Sequence, residues 1–251
     1  MRLKRIAAAA VAASLAPAAA FAADLGVDPV VEVPAIRHGG PYVALGGGVN
    51  FLQKQDIPHV DAPFGRQPGG WIRSETGWIA LGSLGWDFGN GFRVEAEASH
   101  RRNGFDRATA GALLNEKAGG RQETTAVFAN VFYDFDLAAY GLNTSIKPYV
   151  GAGVGYGWSR WNNVYVTKPG EFVRHRDTDG GVALQGIVGA AAPISEGLSL
   201  TAEYRLMSLL SDRSYKGRVE ESRFGSFPIK TKVEDGLNHS VLIGLRYAFG
   251  S

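Results

Sequence analysis

From residue 40 to residue 249 the chain repeats one pattern, short segments in which apolar and polar side chains alternate with a period of two. Residues 92–101, FRVEAEASHR, are representative: Phe92, Val94, Ala96 and Ala98 alternate with Arg93, Glu95, Glu97 and Ser99. Alternate side chains of a strand point to opposite faces, so this segment has one apolar and one strongly charged face. Two environments accept such a strand. In a soluble sandwich or a lipocalin-type barrel the charges meet water and the apolar face lines a core or pocket. In a membrane barrel the apolar face meets lipid and the charges fill the lumen. The alternation alone leaves both open.

The N-terminus narrows the choice. A basic stretch, MRLKR, precedes the short apolar run IAAAAVAASLAPAAA, and Ala20-Phe21-Ala22 forms an A-x-A cleavage signal, so residues 1–22 are expected to be a secretory signal peptide. The run is Ala-rich, carries Pro17 and falls short of the ~20 apolar residues of a spanning helix. The whole chain has 26 Lys+Arg against 24 Asp+Glu, and removing Arg2, Lys4 and Arg5 leaves one more acid than base. The basic balance therefore belongs to the leader, and nucleic acid is not an expected partner. Zero cysteines in an exported chain mean no disulfide staples. No later apolar run is long enough for a spanning helix, so a membrane-crossing form of this chain must be a closed barrel.

Residues 23–39 contain Pro29 and Pro34 and keep no period, which predicts an extended periplasmic lead-in; residues 40–251 are expected to form the barrel. Eight strands are predicted, at 41–52, 76–88, 92–101, 122–135, 146–158, 181–194, 198–206 and 238–249. Their connections alternate. Those at 89–91 and 195–197 are tight and 136–145 is moderate, whereas 53–75, 102–121, 159–180 and 207–237 are long. Short turns on the periplasmic side and long loops outside are the asymmetry of an outer-membrane barrel. Near the short turns lie Trp86, Phe88, Phe92, Tyr133, Phe135, Tyr247 and Phe249, expected to form an interfacial aromatic girdle. Girdled apolar faces point to lipid. The charged faces then belong in the lumen, with Arg93, Glu95, Glu97, Lys147, Glu203, Arg205 and Arg246 facing inward. Ile79, Leu81 and Leu242 fall on the presumed inner face as exceptions, and strand 181–194 has too many small residues for its facing to be read.

The segments GPYVALGGGVNF, GSLGWDFGNGFRVEAEASHRRN, VFANVFYDF, KPYVGAGVGYGW, LSLTAEYRL and NHSVLIGLRYAF together resemble the eight-stranded outer-membrane β-barrels of Gram-negative bacteria. That family includes the transmembrane domain of outer-membrane protein A and the opacity-type surface antigens. The resemblance covers about residues 40–249. It implies an all-β, eight-stranded, antiparallel up-and-down transmembrane β-barrel in the outer membrane. It also implies a terminal signal for the barrel assembly machinery, which Gly244, Tyr247 and Phe249 fit, although Gly250 and Ser251 extend past the usual terminal aromatic and Leu242 replaces a polar residue. Larger relatives carry a peptidoglycan-binding domain after the barrel. The chain ends at its last strand, so anchoring through such a domain is not expected.

Catalytic chemistry is weakly signalled. The five histidines, His38, His59, His100, His175 and His239, lack metal-ligand spacing. His239-Ser240 suggests a hydrolase dyad, but neighbours in a strand face opposite sides. The glycine runs 46–48 and 151–157 have no following helix and are expected to make lumen room for long charged side chains, not to bind a nucleotide. Neither a cofactor nor a metal is expected. Basic residues gather near the long loops, among them Arg101, Arg160, Arg174, His175, Arg213 and Lys216, where they would meet lipopolysaccharide phosphates or simply keep the loops soluble. Loop aromatics such as Trp71, Trp161 and Phe224 suggest a host or surface ligand. The expected function is structural or surface-interactive and not enzymatic. A cross-lumen network of Glu95, Glu97 and Glu203 with Arg93, Arg205 and Arg246 would occlude the pore. A narrow porin-like channel is the first alternative and a lipid A-modifying enzyme the second.

Overall fold

A computed structural model describes residues 39–249 apart from 111–112, 143, 169–170, 222–224 and 235. The expected signal peptide, residues 23–38 of the lead-in, Phe224, Gly250 and Ser251 lie outside the described residues. Twelve strands join in one sheet: β1 (Gly40–Leu52), β2 (Gln55–Ala62), β3 (Gly65–Ser74), β4 (Gly77–Asp87), β5 (Phe92–Ala110), β6 (Leu113–Asp134), β7 (Lys147–Lys168), β8 (Glu171–Ser195), β9 (Leu198–Leu209), β10 (Arg213–Glu221), β11 (Gly225–Val233) and β12 (Asn238–Ala248). Every pairing is antiparallel.

The pairings run in two cycles. From β1 they pass through β4, β5, β6, β7, β8, β9 and β12 and return to β1, where Tyr42 faces Ala248 and Leu52 faces Asn238. Pairing the first strand with the last leaves no open edge on this cycle, the condition for crossing a bilayer with strands. The second cycle keeps β5 to β8 but substitutes β10, β11, β2 and β3 for the other four. The described residues form twelve strands where eight are expected, and the additional four, β2, β3, β10 and β11, lie outside the first cycle. Segments 53–75 and 207–237 are not loops, because each folds into a hairpin, β2–β3 and β10–β11. Segments 102–121 and 159–180 are upward continuations of β5–β6 and β7–β8. Tight turns stand where expected, with Gly89, Gly91 and Gly197 at φ of 75°, 92° and 72°, a region that side chains with a Cβ seldom adopt.

Along the first cycle the faces follow the period of two. Leu45, Leu84 and Ile243 point outward at 70%, 66% and 66% exposure, while Arg93, Glu97 and Arg205 point inward at 2–3%. On β8, Val182, Leu184, Val188 and Ile194 face out and Ala183, Gln185, Ile187 and Ala191 face in, which settles the facing of 181–194. Ile79, Leu81 and Leu242 pack on one another inside. Aromatics mark two levels. Six of the seven girdle residues are exposed near the short turns and Phe135 is half-buried, with edge-on contacts Phe92–Tyr133, Tyr133–Phe135 and Tyr247–Phe249. A second row, Trp78, Tyr156, Trp158 and Tyr204, faces outward farther up. Trp86 and Trp78 are eight residues apart on β4, about 27 Å along the strand at ~3.4 Å per residue, which with strand tilt suits the ~25 Å apolar band of an outer-membrane barrel.

Beyond the upper row the faces exchange character. Val164, Val166, Val173, Val219 and Ile229 are buried inside, and Arg107, Arg174, Lys216, Arg218 and Lys230 point out. Register shifts between Gly104 and Arg107 on β5 and between Trp161 and Val164 on β7 accompany the change, and Asn163 sits at φ 50° within the second. In this upper zone the inside is apolar and the outside charged, the pattern of strands that meet water.

Candidate functional site

The lower lumen holds a polar cluster built from strands on opposite sides. On β5, Arg93 forks onto Asp134 of β6 at 2.8 and 2.9 Å and donates to the Tyr42 hydroxyl at 3.0 Å. Its guanidinium lies 4.6 Å from the ring centre of Phe132 and 5.1 Å from that of Tyr149. One level up, Glu95 accepts from Tyr42 at 3.1 Å and from Asn130 at 3.4 Å. Next above, Glu97 accepts from Arg205 of β9, from Asn130 at 2.8 Å and from Gln185 at 3.0 Å. Arg205 also donates through Nε to Glu203 at 2.7 Å, and Glu203 accepts from Tyr149 at 2.6 Å. The guanidinium of Arg205 thus joins a carboxylate from β5 to one from β9. The void left among Ser83, Glu95, Tyr149, Glu203, Arg205 and Arg246 measures about 20 Å³, on the order of a single water.

Five of the seven expected charges, Arg93, Glu95, Glu97, Glu203 and Arg205, meet in this cluster through hydrogen bonds. Arg93 takes a partner the sequence reading missed. Asp134 lies diagonally across the β5–β6 pair, two residues on from Phe132, which faces Arg93, and such a neighbour is nearer than a residue across the lumen. Arg246 faces Ser199, below the level where Leu242 faces Glu203, and joins the cluster over the rings of Tyr42 and Tyr149 at 5.8 and 6.0 Å. Lys147 pairs with inward-facing Ala191 and shares the face of Tyr149. It begins β7 at the periplasmic end, where it is exposed. The β7 glycines make lumen room, but chiefly for neighbours on β6: a Cβ at Gly153 would collide with Asn130.

Higher up, the upper ends of β1 and β12 are tied to mid-β5 by Asn50, which donates to Asn103 at 2.6 Å and Asn238 at 3.0 Å and accepts from Ser240 at 2.7 Å. Above this lies an aromatic floor. Trp161 stacks on Tyr215 at 4.4 Å, meets Phe105 and His175 edge-on, and donates to Gln122 at 3.0 Å. Tyr215 donates to Ser159 at 2.8 Å. Over the floor opens an apolar cavity of about 260 Å³. His175 borders it, sharing a hydrogen bond with Thr231 at 2.8 Å, and burial pushes its pKa down to about 4 against the pull of Asp177.

The basic residues expected at the loops divide between the faces. Arg160, Arg174 and Lys216 are exposed, whereas Arg101, His175 and Arg213 are buried inside, because the strands and their alternation extend through these segments. Trp161 is likewise buried and offers no adhesive tip. His239 and Ser240 face opposite sides: His239 is outside with Tyr204 and Gln53, Ser240 inside with Asn50. Gly244 faces Gly46 and Thr201 at the β1–β12 seam, and Tyr247 and Phe249 stand outside, 5.1 Å apart. Among the described residues no cluster of three or more His, Cys, Asp or Glu could hold a metal. Sequence alternation in 213–219 (RSYKGRV) and 227–233 (FPIKTKV) carries the missed strands, with Lys216, Arg218 and Lys230 on the outer face and Arg213 inside.

A strand cycle without an open edge, an apolar outer face between two aromatic rows and a charged interior define an integral outer-membrane β-barrel protein. The chain belongs to the family described as outer membrane protein beta-barrel domain, which matches residues 6–249. It is 34% identical over 223 residues to an outer membrane protein of Gluconacetobacter diazotrophicus, an alignment covering 84% of this chain and 58% of that one. The chain therefore spans little more than half the length of that relative. It is 28% identical over 207 residues to the opacity protein opA57 of Neisseria gonorrhoeae, covering 66% and 76% of the two chains. Among solved structures it is similar in fold to the outer membrane protein OprG from Pseudomonas aeruginosa, with a TM-score of 0.58 at 16% identity over 83% of this chain and 96% of that one.

Proposed function

We infer that the chain is an eight-stranded transmembrane barrel, occluded by its lumen charges, whose role is structural and surface-interactive and not catalytic. The observation that carries this reading is Arg205, held between Glu97 of β5 and Glu203 of β9 with room for about one water beside it. Eight strands give an interior that side chains just fill, and paired charges need no solvent column. The outward charges of the upper zone, Arg160, Arg174 and Lys216 among them, suit contact with lipopolysaccharide phosphates or a host surface. Tyr247 on the exposed face of β12 and exposed Phe249 just past its end suit the barrel assembly machinery. The test is single-channel recording of the purified protein in planar bilayers. No steady conductance is expected; a steady conductance that is unchanged in Arg205→Ala would overturn the occlusion and favour a narrow channel.

A further inference from the structure

The lumen has a second compartment for which neither occlusion nor surface charge accounts. Above the Trp161–Tyr215 stack, Val164, Val173, Val219 and Ile229 wall the cavity of about 260 Å³, which reaches up to the exposed ring of Phe64. Interiors ordinarily fill such space with side chains, and here the inward residues are too small to do so. The polar groups on its lining, among the described residues, are Gln67, His175 and Thr231, and the last two are bonded to each other. Among the same residues no Lys, Arg, Asp or Glu lines it, although the outer face of the same strands carries Arg174, Lys216, Arg218 and Lys230.

We propose that this cup binds the single aliphatic chain of a free amphiphile, such as a medium-chain alcohol or fatty acid, entering from the extracellular side. Branched aliphatic walls without a charge fit a hydrocarbon chain. The volume takes on the order of eight to ten methylene-sized groups, each about the ~30 Å³ of a liquid water. The source follows from the walls. Around the cup each strand pairs with the next, the narrowest seam being β11–β2, where Lys230–Lys232 pair with His59–Asp61, so the acyl chains of surrounding lipid meet paired strands over most of the wall. Binding itself does not depend on the closed-lumen reading; that reading adds only that the cup is a dead end.

The full mature chain, refolded in phosphatidylcholine nanodiscs with Trp71, Trp78, Trp86 and Trp158 changed to Phe, leaves Trp161 as the sole indole reporter at the cup floor. Titration with bromodecanol is expected to quench it saturably, with unbrominated decanol competing. Ala108→Phe fills the cavity from its wall and should weaken that quenching about tenfold or more, since the chain's contacts are lost. Faster gel migration before boiling than after verifies that this variant is folded, and Val166→Phe serves if it is not. Quenching that rises without saturation and ignores both fillings would mean partition into lipid and overturn the proposal. So would loss of quenching when lipopolysaccharide is placed in the nanodisc, since the occupant would then be a membrane acyl chain.

Discussion

Arg205 is buried with one carboxylate on each side, so deleting it strands two negative charges in a lumen with little water. Breaking a buried pair by removing one partner typically costs about 3–5 kcal/mol. Arg205→Ala is expected to lose that much in urea unfolding from lipid vesicles, and the double change Arg205→Met with Glu97→Gln should recover part of it. A loss no larger than that of an exposed change such as Lys216→Ala would show that the charges are solvated. His175 makes a prediction of opposite chemical sense. Its folded pKa of about 4 lies below the ordinary 6.5, because burial favours the neutral ring. The unfolded chain takes up a proton below pH 6.5 and the folded one only near pH 4, so stability falls across that window, by about 3 kcal/mol in all. Amide-exchange protection of β8 and β10 should decline as pH is lowered from 7 to 4, and His175→Gln should flatten the decline.

At the scale of strands, each long element has two solvents on its outside. β5 passes from lipid-facing Val94 and Ala96 to water-facing Arg107, and β8 from Val188 up to Arg174. The same substitution should therefore have opposite standing along one strand. Arg at Ala96, near mid-membrane, is expected to cost about 2–4 kcal/mol in vesicle refolding. Arg at Thr178, outward on the upper part of β8, should be tolerated within about 0.5 kcal/mol. Equal tolerance at the two sites would contradict the assigned membrane boundary. Inside the upper zone the order reverses, and Val219→Lys should be costly because it buries an unpaired charge.

For the molecule as a whole, hydrogen-bonding β1 to β12 turns a run of hairpins into a cycle that unfolds as a unit. The mature chain should fractionate with the outer membrane and run faster on a denaturing gel before boiling than after. Changing Val43 and Val49, on β1, to Pro should abolish that shift, since proline removes ladder donors at the seam. The sequence by itself determined the class, the outward face and the short turns, because these follow from a period of two, from Gly89 to Gly91, and from aromatics placed at strand ends. It also named the charges of the lumen cluster, since a polar residue on an otherwise lipid-facing strand has only one place to go. What it left to the tertiary structure was partnership and the upper zone. Arg93 chooses Asp134 because strand register sets the diagonal, and register depends on which strands pair. The hairpins β2–β3 and β10–β11 alternate like the others, yet their apolar side faces inward, and only the height of the membrane against the barrel decides which face of an alternating strand must be apolar.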